Sequence, residues 1–134
     1  MKEETKQWTW NNGWILMSVY LAQSDDVATL AGIIAAADAT NHAIPTPNEL
    51  SQAFTKLANA GVVIVNNDSY KINSKHLGEI EEAYKTKGGL FESANKGKKW
   101  LNASGLSPKG TQKLTITDEQ VTNAYNVYTS KIRK

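Results

Sequence analysis

"ELSQAFTKLANAGVVIVNNDSYKIN", residues 49–73, decides the fold. Leu50, Ala53, Phe54 and Leu57 recur at helical spacing, which gives one apolar face to an otherwise polar segment. Just upstream, Thr46 can serve as N-cap, Pro47 as the first helical residue and Glu49 as the third. That is a capping box with proline at its favoured position, so a helix is predicted over 47–60. Gly61 suits the left-handed residue that closes it. "VVIV" (62–65) is β-branched throughout and predicts a strand. "NNDS" (66–69) is turn chemistry, and "YKIN" (70–73) returns with Tyr70 and Ile72 on one face.

Two helices are predicted before this unit. Trp14, Met17, Ser18 and Leu21 share one face of a helix over about 11–23, and Ile15, Val19 and Ala22 make the adjoining face apolar. A helix apolar over so much of its surface is covered on more than one side. "QSDD" then breaks it. Leu30, Ile33, Ile34 and Ala37 place a second helix from near Thr29 to about 38–42. Beyond the hairpin, Ser74 can cap a helix with Leu77, Ile80, Ala83 and Tyr84 on one face. "KTKGG" interrupts it. Leu90, Phe91, Ala94, Lys98 and Leu101 allow a fifth, which Gly97 weakens. "NASGLSPKGTQ" is a loop by composition. Thr117 and Gln120 make a second capping box before a last helix lined by Val121, Ala124, Tyr125 and Tyr128, with "SKIRK" suited to its C-terminal end.

The stretch 14–73, above all "PNELSQAFTKLANAGVV" followed by a short hairpin, resembles a winged helix-turn-helix domain. "AAADATNHAIPTPNEL" is also similar to a set of small, functionally unassigned bacterial proteins of that fold. The resemblance implies a fold and no activity. It departs from the pattern in the link "ATNHAIP", longer than the 3–4-residue turn of a tight helix-turn-helix. The expected architecture is mainly α with a small β-hairpin. A winged-helix domain (three-helix core plus two-stranded wing) covers 1–84, and a basic C-terminal helical extension, packed on it or partly flexible, covers 85–134.

Length, 134 residues, suits one domain with an appendage, and a core this size needs neither disulfide nor metal. The chain has no cysteine, so thiolate zinc sites and disulfide frameworks are excluded. "WILMSVYLA" (14–22) is too short for a membrane span, and "KEETK" ahead of it is no signal-peptide n-region. It reads as a buried helix, with no membrane partner, of a cytoplasmic protein. The net charge of +2 hides an asymmetry: −5 over residues 1–83 and +7 over 84–134. Such a half can form a patch for an acidic partner or a solvated, lysine-rich surface.

With Leu50 at the centre of the buried face, Asn48, Gln52, Thr55 and Asn59 fall along the outward ridge of the third helix. Lys56 and Glu49 lie on one flank and Ser51 on the other. Asn, Gln, Ser and Thr can bond base edges. The leading expectation is therefore a DNA-binding or regulatory protein. Asn48, Ser51, Gln52, Thr55 and Lys56 would face the major groove of double-stranded DNA, with Lys71 and Lys75 on phosphates. Any exposed helix needs a polar face, however, and affinity for DNA comes from neutralised phosphates. Residues 46–75 carry a net charge of only +1, no arginine precedes Arg133, and the hairpin tip is Asn-Asn-Asp-Ser. The alternative is a protein-interaction module of the same fold. Lys85, Lys87, Lys96, Lys98 and Lys99 could add to a basic face, though a solvated role for them and a core role for Trp100 fit the pattern as well.

Catalytic chemistry is not visible. His42 and His76 are the only imidazoles, no serine lies in a nucleophile elbow, and "KGGL" and "NKGKK" lack P-loop spacing. Neither an enzyme activity nor a cofactor is expected. Asp38 and His42, four apart, could share a metal with Glu49, but a hydrogen bond from His42 to Asp38 or the connector backbone is the simpler reading. Trp14 belongs to the core. Trp8 and Trp10 either staple the N-terminus onto the domain or form a homodimer contact.

Overall fold

The computed structural model describes residues 8–23 and 27–132. "KEETK" (2–6), the helix-breaking residues 24–26, and Arg133 and Lys134 lie outside the described residues. Among the described residues the chain forms six α-helices and one antiparallel hairpin: α1 (Trp10–Ala22), α2 (Leu30–Asn41), α3 (Pro47–Asn59), β1 (Val63–Asn66), β2 (Ser69–Ile72), α4 (Ser74–Tyr84), α5 (Ser93–Ser104) and α6 (Asp118–Ile132). The expected class, mainly helical with a small hairpin, is the one that forms.

α1 lies at the centre. Thr9 starts it with a capping box to Asn12, and every residue from Asn12 to Val19 is buried. α2, α3 and α5 pack around it, which accounts for its apolar character on more than one side. The closest approach is to α5, at Gly13 and Gly97. A methyl group on Gly13 would overlap the Ala94 carbonyl oxygen and the Lys98 nitrogen, and one on Gly97 would overlap the Gly13 carbonyl. The glycine that weakens α5 as an isolated helix is what lets α5 reach α1. On the other side, the Trp14 indole donates to the Ala37 carbonyl at 3.2 Å and fixes α2.

α3 begins as its sequence requires. The Glu49 N–H donates to Thr46 Oγ1 at 3.1 Å, and Glu49 Oε1 accepts the Thr46 N–H at 2.9 Å. Leu50, Ala53, Phe54 and Leu57 are fully buried, and Phe54 stacks on Tyr70 of β2 with ring centroids 4.7 Å apart. Gly61 is left-handed, with φ 78°. The hairpin pairs Val63 with Ile72 and Asn66 with Ser69. β1 starts one residue later than predicted because the Val62 N–H is held by the Leu57 carbonyl at the end of α3. Ala28 pairs with Tyr70 as a one-residue third strand. At the hairpin tip, Asp68 Oδ1 accepts the Leu30 N–H at 3.1 Å, which puts a carboxylate at the α2 N-terminus. Burial, with Asp68 nearby, pushes the Tyr70 phenol up to about 12.

Three details of the C-terminal half correct the sequence reading. The cap of α4 is Asn73, not Ser74: Asn73 Oδ1 accepts the Lys75 N–H at 3.1 Å, while its amide donates to the Gly61 carbonyl at 2.9 Å. Lys96 is buried rather than solvated. Its ammonium donates to the Tyr84 and Thr86 carbonyls at 2.8 Å each and to that of Gly89 at 3.3 Å, which supplies donors where the end of α4 leaves acceptors. Trp100 is half-buried, its indole donating to Glu79 Oε1 at 3.3 Å. α6 opens with the Thr117–Gln120 capping box and seats on α2 through buried Ala124 and a 2.8 Å bond from the Tyr128 hydroxyl to Asp38 Oδ2. No helix among the described residues is long and apolar enough to cross a membrane.

Candidate functional site

One stripe of the outward face of α3, Ser51, Thr55 and Asn59, is covered by the chain itself, while Asn48 and Gln52 stay exposed. Residues 112–116, between α5 and α6, run along that stripe in extended conformation, and three side chains one helical turn apart hold them. Ser51 Oγ accepts the Ile116 N–H at 2.7 Å and donates to the Ile116 carbonyl at 3.3 Å. Thr55 Oγ1 does the same for Leu114, at 2.9 and 3.0 Å. Asn59 does so for Gln112: Oδ1 accepts its N–H at 3.0 Å and Nδ2 donates to its carbonyl at 2.8 Å. Each side chain thus replaces the partner residue of a β-ladder.

The register works because two periods nearly coincide. Four helical residues rise about 6 Å, and two extended residues rise about 6.6 Å. Positions 51, 55 and 59 therefore meet 116, 114 and 112 in antiparallel sense. The strand's alternation also places side chains: Ile116 is buried and Leu114 half-buried, whereas Lys113 and Thr115 are exposed. The Asn59 carbonyl, at the end of α3, accepts the N–H groups of Lys109 and Gly110 at 3.0 and 3.3 Å. A methyl group on Gly110 would lie 2.5 Å from Asn59 Oδ1, so the Asn59 side chain would have to shift to admit it.

The remaining predicted DNA-facing residues divide into two groups. Gln52 and Lys56 turn toward the start of α1. Gln52 Oε1 accepts from the side-chain amides of Asn11 and Asn12 at 3.4 and 3.3 Å. The Lys56 ammonium donates to Asn12 Oδ1 at 3.0 Å and sits 5.1 Å from the centre of the Trp8 ring. Burial lowers its pKa. Asn48 is exposed near the start of α3, Lys71 is half-buried on β2, and Lys75 is exposed on α4. The structure thus brings Ser51 and Thr55 together under one segment, places Gln52 and Lys56 in a second cluster, and leaves Asn48, Lys71 and Lys75 in neither.

Trp8 is buried, and its indole donates to the Leu106 carbonyl at 2.9 Å, so it staples the start of α1 to the loop that follows α5. Trp10 is 38% exposed and packs on Trp14. The Asp38 carboxylate is engaged by Tyr128; the His42 backbone N–H donates to the Asp38 carbonyl at 2.7 Å, and the His42 ring lies against Phe91. Among the described residues no group of three His, Cys, Asp or Glu could hold a metal ion.

The sequence reading missed Gln112, Leu114 and Ile116. Their signal was the alternation of Leu114 and Ile116 with Lys113, Thr115 and Thr117, half-hidden by the glycine- and serine-rich residues before them. Thr55→Val should show how much the ladder contributes. It keeps the shape of the side chain but leaves the Leu114 N–H and carbonyl unpaired, at a local cost of about 1–3 kcal/mol. Amide hydrogen exchange checks it: Leu114 should exchange faster while Phe54 and Ile33 are unchanged.

Comparison with known proteins returned no matching family model, no matching curated protein and no matching solved structure.

Proposed function

We propose that the chain is a winged-helix module that acts by binding protein, not by reading DNA with α3. The element order and the short pairing of Ala28 with β2 support the winged-helix reading. One observation carries the functional half: the donors and acceptors of Ser51, Thr55 and Asn59 are both engaged on peptide groups. A groove reader would have to give up those six bonds and expose Ile116 before a base edge could reach Ser51, Thr55 or Asn59.

Electrostatics points the same way. Non-specific affinity for DNA scales with the number of phosphates neutralised. Lys56 is folded against Trp8, and Asp68 rather than a cation occupies the hairpin tip, where it caps α2. Lys113 is the one cation among residues 111–117, and Asp118 and Glu119 follow in the first turn of α6.

An amide titration with a mixed-sequence duplex, at low and near-physiological salt, tests this. Residues 48–59 should not shift even at low salt. Shifts confined to the lysines of 85–113 would report a basic surface and leave the proposal standing. Shifts concentrated at 48–59 and 70–75, weakening as salt rises, would overturn it and establish a DNA-binding protein.

A further inference from the structure

We propose that the outward face of α3 is a receptor for an extended peptide segment of a partner protein, one with apolar side chains at alternate positions, and that residues 112–116 fill it as a built-in stand-in. The inference rests on the protein-binding reading above and names the surface and the kind of partner.

The seated segment shows what the face recognises. All six side-chain bonds from Ser51, Thr55 and Asn59 go to main-chain groups, so any segment without proline at the paired positions presents the same partners. Selectivity comes from alternate side chains: Ile116 is buried and Leu114 half-buried, while the side chains of Lys113 and Thr115 are exposed and go unread. Backbone bonds for affinity and alternate pockets for choice is the logic of strand addition, here applied by a helix.

The stand-in can leave without unravelling the rest. α6, which follows it, keeps its own seat on α2 through Ala124 and the Tyr128–Asp38 bond. α5, which precedes it, is fixed to α1 and ends at left-handed Gly105. Between these fixed points Leu114 and Ile116 are the apolar anchors of the part that lies on the ladder, and residues 109–113 are exposed. Segments with so few buried contacts open at much lower cost than the core. While attached, the segment competes at a tethered concentration on the order of millimolar, so a partner must bind more tightly than the segment or meet it already loosened.

The test uses the full chain carrying Leu114→Ser and Ile116→Ser, with a synthetic peptide of the sequence TQKLTIT (residues 111–117) as probe. Saturable amide shifts confined to 48–59 are expected. Methylation of the leucine nitrogen in the peptide should weaken binding about tenfold, the cost of one backbone bond. A second peptide that keeps only the leucine and isoleucine and changes every polar position should bind as well as the first. The unaltered chain should bind either peptide at least about tenfold more weakly, because its own segment competes. A folded variant that shows no shifts at 48–59 overturns the inference and leaves protein binding through another surface intact. Shifts at 48–59 with duplex DNA and not with peptide overturn the inference and the protein-binding reading together. Concentration-dependent dimerisation of the unaltered chain, lost in the double variant, would make a second copy the occupant and overturn the partner proposed. If the double variant does not fold, exchange in the unaltered chain decides. The Leu114 and Ile116 amides should exchange at least about 100-fold faster than those of Ile33 and Phe54, and equal protection overturns the inference.

Discussion

Gly13→Ala should destabilise the protein by about 3 kcal/mol, although alanine is the better helix former. In an open helix the exchange gains up to about 1 kcal/mol, because glycine loses more backbone freedom on folding. At Gly13 that gain is overrun. The new methyl would occupy the space of the Ala94 carbonyl oxygen and the Lys98 nitrogen, both backbone atoms of α5 that no rotamer change can move. The helices must separate, and α1 makes its most extensive contact with α5. Gly97→Ala meets the same obstacle from the other side, at the Gly13 carbonyl. The two substitutions together should cost less than their sum, since one separation accommodates both methyls. Gly78 on α4 is the control. Nothing lies within 4 Å of where its Cβ would stand, so Gly78→Ala should stabilise by about 0.4–1 kcal/mol. Denaturant unfolding of the four variants checks the signs, and a Gly13→Ala protein as stable as the parent would refute the close backbone contact.

The features legible in the sequence are those written locally. Thr46 with Glu49 and Thr117 with Gln120 announce two helix starts because a capping box lies within four residues. The hairpin is legible because β-branched residues flank a polar turn. What stays hidden depends on partners distant in the chain. Ser51, Thr55 and Asn59 form a polar ridge whose pattern is the same whether it faces water, a DNA groove or the protein's own backbone, and only the fold shows that residues 112–116 lie on it. Lys96 stands among lysines that look solvated, and its burial follows from the carbonyls that α4 leaves at its end. Gly13 and Gly97 look like two weak helix positions, and their meaning is in being a pair.

Phe54→Ala should cost about 3–5 kcal/mol, the range for removing a buried aromatic side chain. Phe54 is fully buried, and its stacking on Tyr70 joins α3 to β2, with Ala28 bonded to the far edge of that strand. Alanine there opens a cavity where the helix, the hairpin and the start of α2 meet, so the loss should be global. Amides of α2, α3 and the hairpin should lose protection together, and denaturant unfolding should shift to a lower midpoint with its slope unchanged. The neighbouring residue gives the contrast. Thr55→Val leaves the buried face untouched and removes one rung of the ladder, so its effect should stop at residues 112–116. One position apart on the same helix, the first substitution lowers the stability of the fold and the second only loosens the cover. If instead Thr55→Val lowered global stability as much as Phe54→Ala, the covering segment would be part of the cooperative core, and the outward face of α3 could not be free to take another chain. Separable faces are what a helix needs if one side holds the domain together while the other exchanges partners.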